Sequence, residues 1–183
     1  MKPPEHRKPY NSLGNGSAMR ISPISWKCKN ETTENLFALV ENATVCTHNR
    51  PEGLKGAITT AAAIYFALKG KSKMEIKKYL EEFFDYKFDF SIDELRQKYK
   101  YDITCRGTVP VAIQCFFESN DFEHAVRLAV SVGGDTDTVA AICGSIAEAF
   151  YKAIPDYIIV ETVKRLPNHL FEVVEEFSEK YKN

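Results

Sequence analysis

The chain has 183 residues, of which 44% are hydrophobic and 27% charged, and these are ordinary values for one soluble globular domain. A formal net charge of −1 gives no electrostatic reason to expect nucleic acid or a membrane as a partner, so we expect neither. The sequence has five cysteines without a CxxC pair, and it has no membrane-spanning apolar stretch. Its start has no hydrophobic region of the kind that a signal peptide needs. These features favour the cytoplasm.

The first predicted feature is a polar tail at residues 1–9, which are rich in proline and charge, followed by a single domain over residues 10–183. Apolar spacing then predicts a helix from Glu34 to Cys46. A second helix is predicted from Pro51 to Leu68 with a stop at Gly70. Because glycine and alanine are frequent in this second helix, neighbours can approach it closely, and we expect it to be central.

Further helices follow in the middle of the chain. Ser72 is suited to cap a helix that ends at Phe84, whereas residues 85–100 lack a clean period and are expected to form a partly ordered connection. Thr108, with Pro110 behind it, is predicted to open a helix that ends at Glu118.

The last third of the chain is also predicted to be helical. Asn120 or Asp121 caps a helix that Gly133 and Gly134 end, and apolar residues then recur at three and four residues up to Phe150. Two more helical stretches follow Pro155 and Pro167. With no convincing strand and no repeat, the sequence predicts an all-α fold.

The segment Gly133 to Thr138 carries the most informative chemistry. Asp135, Asp137 and Thr138 offer the hard oxygen ligands that Mg²⁺ or Mn²⁺ prefers. Two carboxylates at this spacing converge on one ion only if Asp135 lies before the regular helix. The alternative is that Asp137 or Thr136 is simply the N-cap, which the positive end of the helix dipole also favours.

Two other stretches are candidates for binding an anionic ligand. Gly14-Asn15-Gly16-Ser17 allows positive φ angles, so successive backbone N–H groups could hold a diphosphate, although an ordinary turn with Ser17 as a cap also fits. His48 could face a ligand phosphate or ribose, or could be a structural hydrogen-bonding residue.

Together these stretches carry a resemblance that none of them supports alone. The matching segments, in order, are Gly14-Asn15-Gly16-Ser17-Ala18-Met19-Arg20, Thr47-His48-Asn49-Arg50-Pro51-Glu52-Gly53, Cys105-Arg106-Gly107-Thr108-Val109-Pro110 and Gly133 to Thr138. In order and approximate spacing, they are similar to the ADP-ribosylglycohydrolase family over nearly the whole chain.

The resemblance implies an all-α, orthogonal multi-helix bundle that removes ADP-ribose from protein side chains or small acceptors with two magnesium ions. It makes Asp135 and Asp137 catalytic and makes Asp135, Asp137 and Thr138 metal ligands. Gly14, Asn15, Gly16 and Ser17 would line the diphosphate, and His48 would face the ADP-ribose. Mn²⁺ is an alternative metal.

The sequence departs from the family pattern in one important respect. Family members carry a Thr-Asp-Asp metal motif in their early helices, and this motif occurs nowhere in the chain. We therefore expect a member truncated at its N-terminus, with half of the metal ligands missing. Arg50 and Val111 also stand where a histidine and an acidic residue are usual.

These departures leave three functional hypotheses open. The chain is a hydrolase completed by carboxylates from elsewhere, an impaired homologue that acts as a binding or interaction module, or a truncated product without function. Because missing helices would uncover apolar surface, we expect a homo-oligomer or an upstream fragment as a partner.

Overall fold

A computed structural model describes residues 11–182 of the chain, so the predicted polar tail at residues 1–9 lies outside the described residues. Within them, the structure is all-α, as predicted. Its helices are α1 (Gly16–Met19), α2 (Ser22–Lys27), α3 (Thr33–Thr44), α4 (Pro51–Leu68), α5 (Lys73–Phe84), α6 (Ile92–Arg96), α7 (Cys105–Glu118), α8 (Phe122–Ser131), α9 (Thr136–Tyr151), α10 (Asp156–Val163) and α11 (Asn168–Tyr181).

Helix α4 lies at the centre of the bundle, which confirms the prediction from its composition. It packs against α1, α2, α3, α5, α7 and α9. Gly56 shows why small residues are needed, because a Cβ atom there would lie 2.5 Å from the Sγ atom of Cys105 on α7. The glycine therefore sets how closely α4 and α7 approach.

The helix starts follow local side-chain chemistry. The hydroxyl of Ser72 accepts a hydrogen bond from the backbone N–H of Glu75, so Ser72 caps α5 as predicted. The carboxylate of Glu75 also accepts from the N–H of Ser72, which completes a capping box. Ser91 and Glu94 repeat the capping box before α6. A short helix thus stands within residues 85–100, where the sequence predicted only a partly ordered connection.

Helix α7 begins three residues earlier than predicted. Thr104, not Thr108, is its N-cap, and its hydroxyl accepts a hydrogen bond from the N–H of Gly107. Pro110 consequently lies inside the helix. The expectation was wrong because it placed Pro110 in the first turn, where its missing N–H costs no hydrogen bond, whereas α7 holds Pro110 in its second turn, where a helix normally has that bond.

The last two helices, α10 and α11, contain no buried residue. The contacts of α11 with the body of the domain include polar ones, since the ammonium of Lys29 donates to the carbonyl oxygen of Tyr181 at 2.7 Å and Lys182 pairs with Glu148. Large apolar side chains such as Val173 are exposed there. No helix among residues 11–182 is both long and apolar enough to cross a bilayer.

Candidate active site

The loop that precedes α1 is held against the loop that precedes α7. Gly14 and Thr104 form an antiparallel backbone bridge, and the N–H of Asn15 donates to the carbonyl oxygen of Ile103 at 2.8 Å. This pairing places the side chain of Asn15 between the starts of α7 and α9. Asn15 and Thr108 are 93 residues apart in the chain. Two distant segments thus build one site.

Asn15 is the link between the glycine loop and the two aspartates. Its side-chain nitrogen Nδ2 donates to the Oδ2 atom of Asp135 at 2.6 Å and to the Oγ1 atom of Thr108 at 3.0 Å. The Thr108 hydroxyl gives its own proton to the carbonyl oxygen of Asp102, so it can only accept from Asn15. These partners fix the orientation of the Asn15 amide.

Asp135 lies just before the regular helix, as the metal hypothesis requires. Helix α9 begins at Thr136, and Asp135 has φ −81° and ψ 64°, with no hydrogen bond from its side chain to the helix start. The alternative that Thr136 or Asp137 is the N-cap is therefore wrong. The bend that turns Asp135 out of the helix is formed by Gly133 and Gly134, which have positive φ angles of 81° and 71°.

A second residue shapes this bend from the outside. The ring of Tyr99 packs so closely on Gly134 that a Cβ atom there would lie 2.7 Å from the Cε1 atom of the tyrosine. Burial raises the pKa of Tyr99, and the nearby carboxylates of Asp102 and Asp135 raise it further. Its hydroxyl therefore stays protonated and donates to the carbonyl oxygen of Gly107 at 3.3 Å.

The other predicted metal ligands lie in the first turn of α9. Asp137 is exposed, and its Oδ1 atom accepts from the N–H of Thr138 at 3.0 Å. Thr138 is buried, with its hydroxyl 3.8 Å from the Sδ atom of Met19. These oxygens are of the type that Mg²⁺ prefers. However, residues 11–182 bring no three His, Cys, Asp or Glu side chains together as a metal site, so the set is incomplete in number.

The glycine loop differs from the predicted nest. Neither Gly14 nor Gly16 has a positive φ angle, and the loop instead runs directly into α1 at Gly16. The backbone N–H groups of Gly16 and Ser17 meet no acceptor among the described residues. They are therefore available to a diphosphate, although α1 is short.

The hydroxyl of Ser17 has a structural role. It donates to the carbonyl oxygen of Gly53 at 2.8 Å and lies 3.4 Å from the Sγ atom of Cys105. Cys105 in turn donates to the carbonyl oxygen of Gly14 at 3.2 Å, and burial raises its pKa, which keeps it a thiol. Ser17 can thus offer a ligand its backbone N–H, while its side chain joins the loop to α4 and α7.

His48 is buried beside the glycine loop. Its Nε2 atom would lie 3.5 Å from a Cβ atom at Gly16, and its Nδ1 atom is 2.7 Å from the Thr47 hydroxyl. That hydroxyl accepts from Arg20 at 2.6 Å and also lies 3.5 Å from the carbonyl oxygen of Thr44. Burial, and secondarily the charge of Arg20, lowers the pKa of His48 from 6.5, so the ring is neutral at pH 7.

Thr108, Asp102 and Tyr99 contribute to the site, although no local sequence pattern indicates them as site residues. The pattern predicts a helix start at Thr108, and the other two residues lie between predicted helices. The signal that could have found Thr108 is its place in Cys105-Arg106-Gly107-Thr108, one of the segments on which the family resemblance rests.

An all-α domain that brings a glycine loop, a buried histidine and two aspartates together resembles hydrolases that act on ADP-ribosyl compounds. The sequence model of the ADP-ribosylglycohydrolase family matches residues 1–183, so the chain belongs to this family.

Individual relatives agree with the family assignment. The chain is 28% identical over 146 residues to the ADP-ribosylarginine hydrolase Tri1 of Pseudomonas putida, covering 77% of this chain and 39% of that protein. It is 27% identical over 185 residues to human ADP-ribosylhydrolase ARH3, covering 76% and 50%. A solved ADP-ribosylglycohydrolase-related protein complex superposes with a TM-score of 0.65 at 28% identity, covering 81% of this chain and 54% of that one. The chain thus spans half or less of the length of these two curated relatives.

Proposed function

We propose that this protein hydrolyses the N- or O-glycosidic bond between ADP-ribose and a protein side chain or small acceptor, with magnesium as its metal and manganese as an alternative. The observation that carries the proposal is the 2.6 Å hydrogen bond from Asn15 to Asp135. It joins the loop proposed for the diphosphate to the carboxylates proposed for the metal, which is the arrangement that a ribose next to a diphosphate requires.

Each part of the site has a proposed task. The N–H groups of Gly16 and Ser17 bind the diphosphate, and neutral His48 lies beside them on the ADP-ribose. Asp135, Asp137 and Thr138 would hold one or both of two metal ions, which would supply a water nucleophile near neutral pH by lowering its pKa. Asp135 and Asp137 would act as the carboxylates that accept a proton.

The incomplete ligand set and the surface around it both favour carboxylates and apolar contacts supplied from outside residues 11–182. Exposed apolar side chains surround the site, and they are Leu13, Met19, Tyr101 and Ile103. Because the chain covers only 39% to 50% of the curated relatives named above, segments that these relatives carry in one chain lie outside it. We propose that a second copy of the chain or a separate upstream fragment covers this rim and adds carboxylates. We place the assembly in the cytoplasm, where reducing conditions suit its free thiols.

The alternative function is that of an ADP-ribose-binding module without turnover. It is favoured by the same shortage of carboxylates in residues 11–182. In this case the N–H groups of the loop, which need no metal, account for all of the binding.

The deciding experiment combines calorimetry with a turnover assay. Mg²⁺ and ADP-ribose are titrated into the chain, and release of ADP-ribose from a modified protein is followed with and without chelator. Asp137→Asn is compared with Asp89→Asn, a matched change at an exposed aspartate outside the site. Metal-dependent release that only Asp137→Asn abolishes supports the hydrolase. Chelator-resistant binding without release supports the binding module, and absence of both contradicts the two functions.

A further inference from the structure

A cavity apart from the candidate active site is bounded by the N-terminal ends of α4 and α7 and by the segment that follows α5. Its volume is about 360 Å³, and its lining residues are Glu52, Lys55, Asp85, Tyr86, Lys87, Phe90, Arg106 and Pro110. None of these residues belongs to the candidate active site. The cavity is nevertheless close to that site in sequence, because Glu52 and Arg106 adjoin Gly53 and Cys105, which contact Ser17.

The charge of this cavity favours an anion. Three cationic side chains, Lys55, Lys87 and Arg106, line it together with two carboxylates, Glu52 and Asp85. Lys55 lies over the ring of Tyr86, 4.4 Å from its centre. The N-terminal turns of α4, with 18 residues, and α7, with 14, add the positive ends of two helix dipoles. A small anion would therefore be attracted by both the side chains and the helices.

An independent observation indicates that the cavity needs a ligand. Tyr86 is only 5% exposed, and its buried hydroxyl has no hydrogen-bond partner within residues 11–182. Burial raises the pKa of this tyrosine, Glu52 raises it further, and Arg106 opposes them, so its hydroxyl stays protonated and remains a donor. A buried donor without an acceptor is costly, and native proteins normally satisfy it.

Glu52 presents the complementary requirement. Its Oε1 atom is buried and meets no donor in the described part of the chain. Among the residues that line the cavity, Glu52 therefore has an acceptor atom without a donor, and Tyr86 has a donor without an acceptor. One ligand that carries both an oxyanion and a hydroxyl would satisfy the two groups together.

From these observations, we propose that the cavity binds a phosphate group that carries a hydroxyl. Its oxyanions accept hydrogen bonds from the Tyr86 hydroxyl and from the guanidinium of Arg106, while its O–H donates to Glu52. Arg106 has no other hydrogen bond or ion pair with residues 11–182, so its donors are not committed elsewhere. Hydrogen phosphate and a sugar phosphate monoester share this chemistry, and the volume of the cavity accommodates either.

The test is calorimetric titration of the chain with inorganic phosphate and, separately, with ribose 5-phosphate. Arg106→Gln and Tyr86→Phe should each weaken binding about tenfold or more, whereas Lys78→Gln, which removes an exposed charge elsewhere, should not. Titration of phosphate in the presence of saturating ADP-ribose separates this cavity from the proposed diphosphate site and should leave the phosphate affinity unchanged. Tighter binding of ribose 5-phosphate would identify a sugar phosphate as the ligand, and equal binding would identify the phosphate alone.

A thermal readout keeps the test decisive if calorimetry gives weak signals. Saturating phosphate should raise the melting temperature of the wild type and of Lys78→Gln, and this increase should be clearly smaller in Tyr86→Phe. Tyr86→Phe removes an unpaired hydroxyl, so it should fold without phosphate as well as the wild type does. The proposal would be overturned if neither probe binds, or if Lys78→Gln loses as much affinity as Arg106→Gln. It would also be overturned if saturating ADP-ribose abolishes phosphate binding while Arg106→Gln retains it.

Discussion

The side-chain amide of Asn15 donates a 2.6 Å hydrogen bond to the carboxylate of Asp135, although 120 residues separate the two in the chain. Asn15 is buried, and its second donor hydrogen is used by Thr108. The loop before α1 and the loop before α9 are therefore held together by a single side chain, and the candidate active site depends on it.

Replacement of Asn15 should weaken both the fold and the site. Asn15→Ala leaves Asp135 without this donor, so we expect a loss of about 1–2 kcal/mol in the free energy of unfolding, measured with urea. Asn15→Asp should cost more at pH 7 than at pH 4, because two carboxylates then face each other. An Asn15→Asp deficit that is the same at both pH values would contradict the contact.

The space around two helical glycines predicts opposite effects of an added Cβ atom. Gly56→Ala forces a Cβ atom against Cys105 and should cost about 1–3 kcal/mol of stability. At Gly144, also within a helix, the nearest atom to an added Cβ is 3.6 Å away, so Gly144→Ala should stabilise by up to about 1 kcal/mol. Urea unfolding of the two variants checks this, and similar effects of both would refute the packing argument.

Lys73 should contribute more to the free energy of unfolding than charged residues usually do. Its ammonium donates to the carbonyl oxygens of Phe117 and Ser119 at the end of α7. It also lies 5.0–5.7 Å from the ring centres of Phe116, Phe150 and Tyr151. We expect Lys73→Met to cost about 2 kcal/mol in chemical denaturation. Lys78→Met, on the exposed surface of the same helix, should stay within about 0.5 kcal/mol of the wild type.

His48 should make stability depend on pH in a defined direction. Because the folded state lowers its pKa from 6.5, the unfolded chain binds a proton first as the pH falls. The contribution of neutral His48 is therefore complete above about pH 6.5 and is lost as the pH falls from there through the folded pKa. The difference in unfolding free energy between wild type and His48→Gln should shrink between pH 7.5 and 5.5. A constant difference would show that His48 is not buried as a neutral ring.

Local sequence signals predicted the helices well where one chemical feature decides the start. Ser72 with Glu75 specified α5, and Pro51 specified α4. The start of α7 was missed because Thr104 and Thr108 are both suitable caps and Pro110 fits the first or the second turn. Only a tertiary contact, the backbone bridge between Gly14 and Thr104, distinguishes Thr104 from Thr108 as the cap.

The residues of the candidate site stay a prediction from the sequence, and their geometry could not be derived from it. The family resemblance placed Asp135, Asp137 and the glycine loop in one site, whereas spacing alone gave no reason to connect Asn15 with Asp135. The positive φ angles were predicted for the wrong glycines, since Gly133 and Gly134 have them and Gly14 and Gly16 do not. Composition allows a glycine to bend the backbone, but the surrounding packing decides whether it does.

The absence of buried residues in α10 and α11 has a consequence for cooperativity. Amide hydrogens in these two helices should exchange with solvent well before those of α4 and α9, because opening them exposes little apolar surface. Limited proteolysis should then cut after Tyr151 and leave a core that melts near the temperature of the whole chain. The cooperative folding unit of this protein is therefore shorter than the polypeptide.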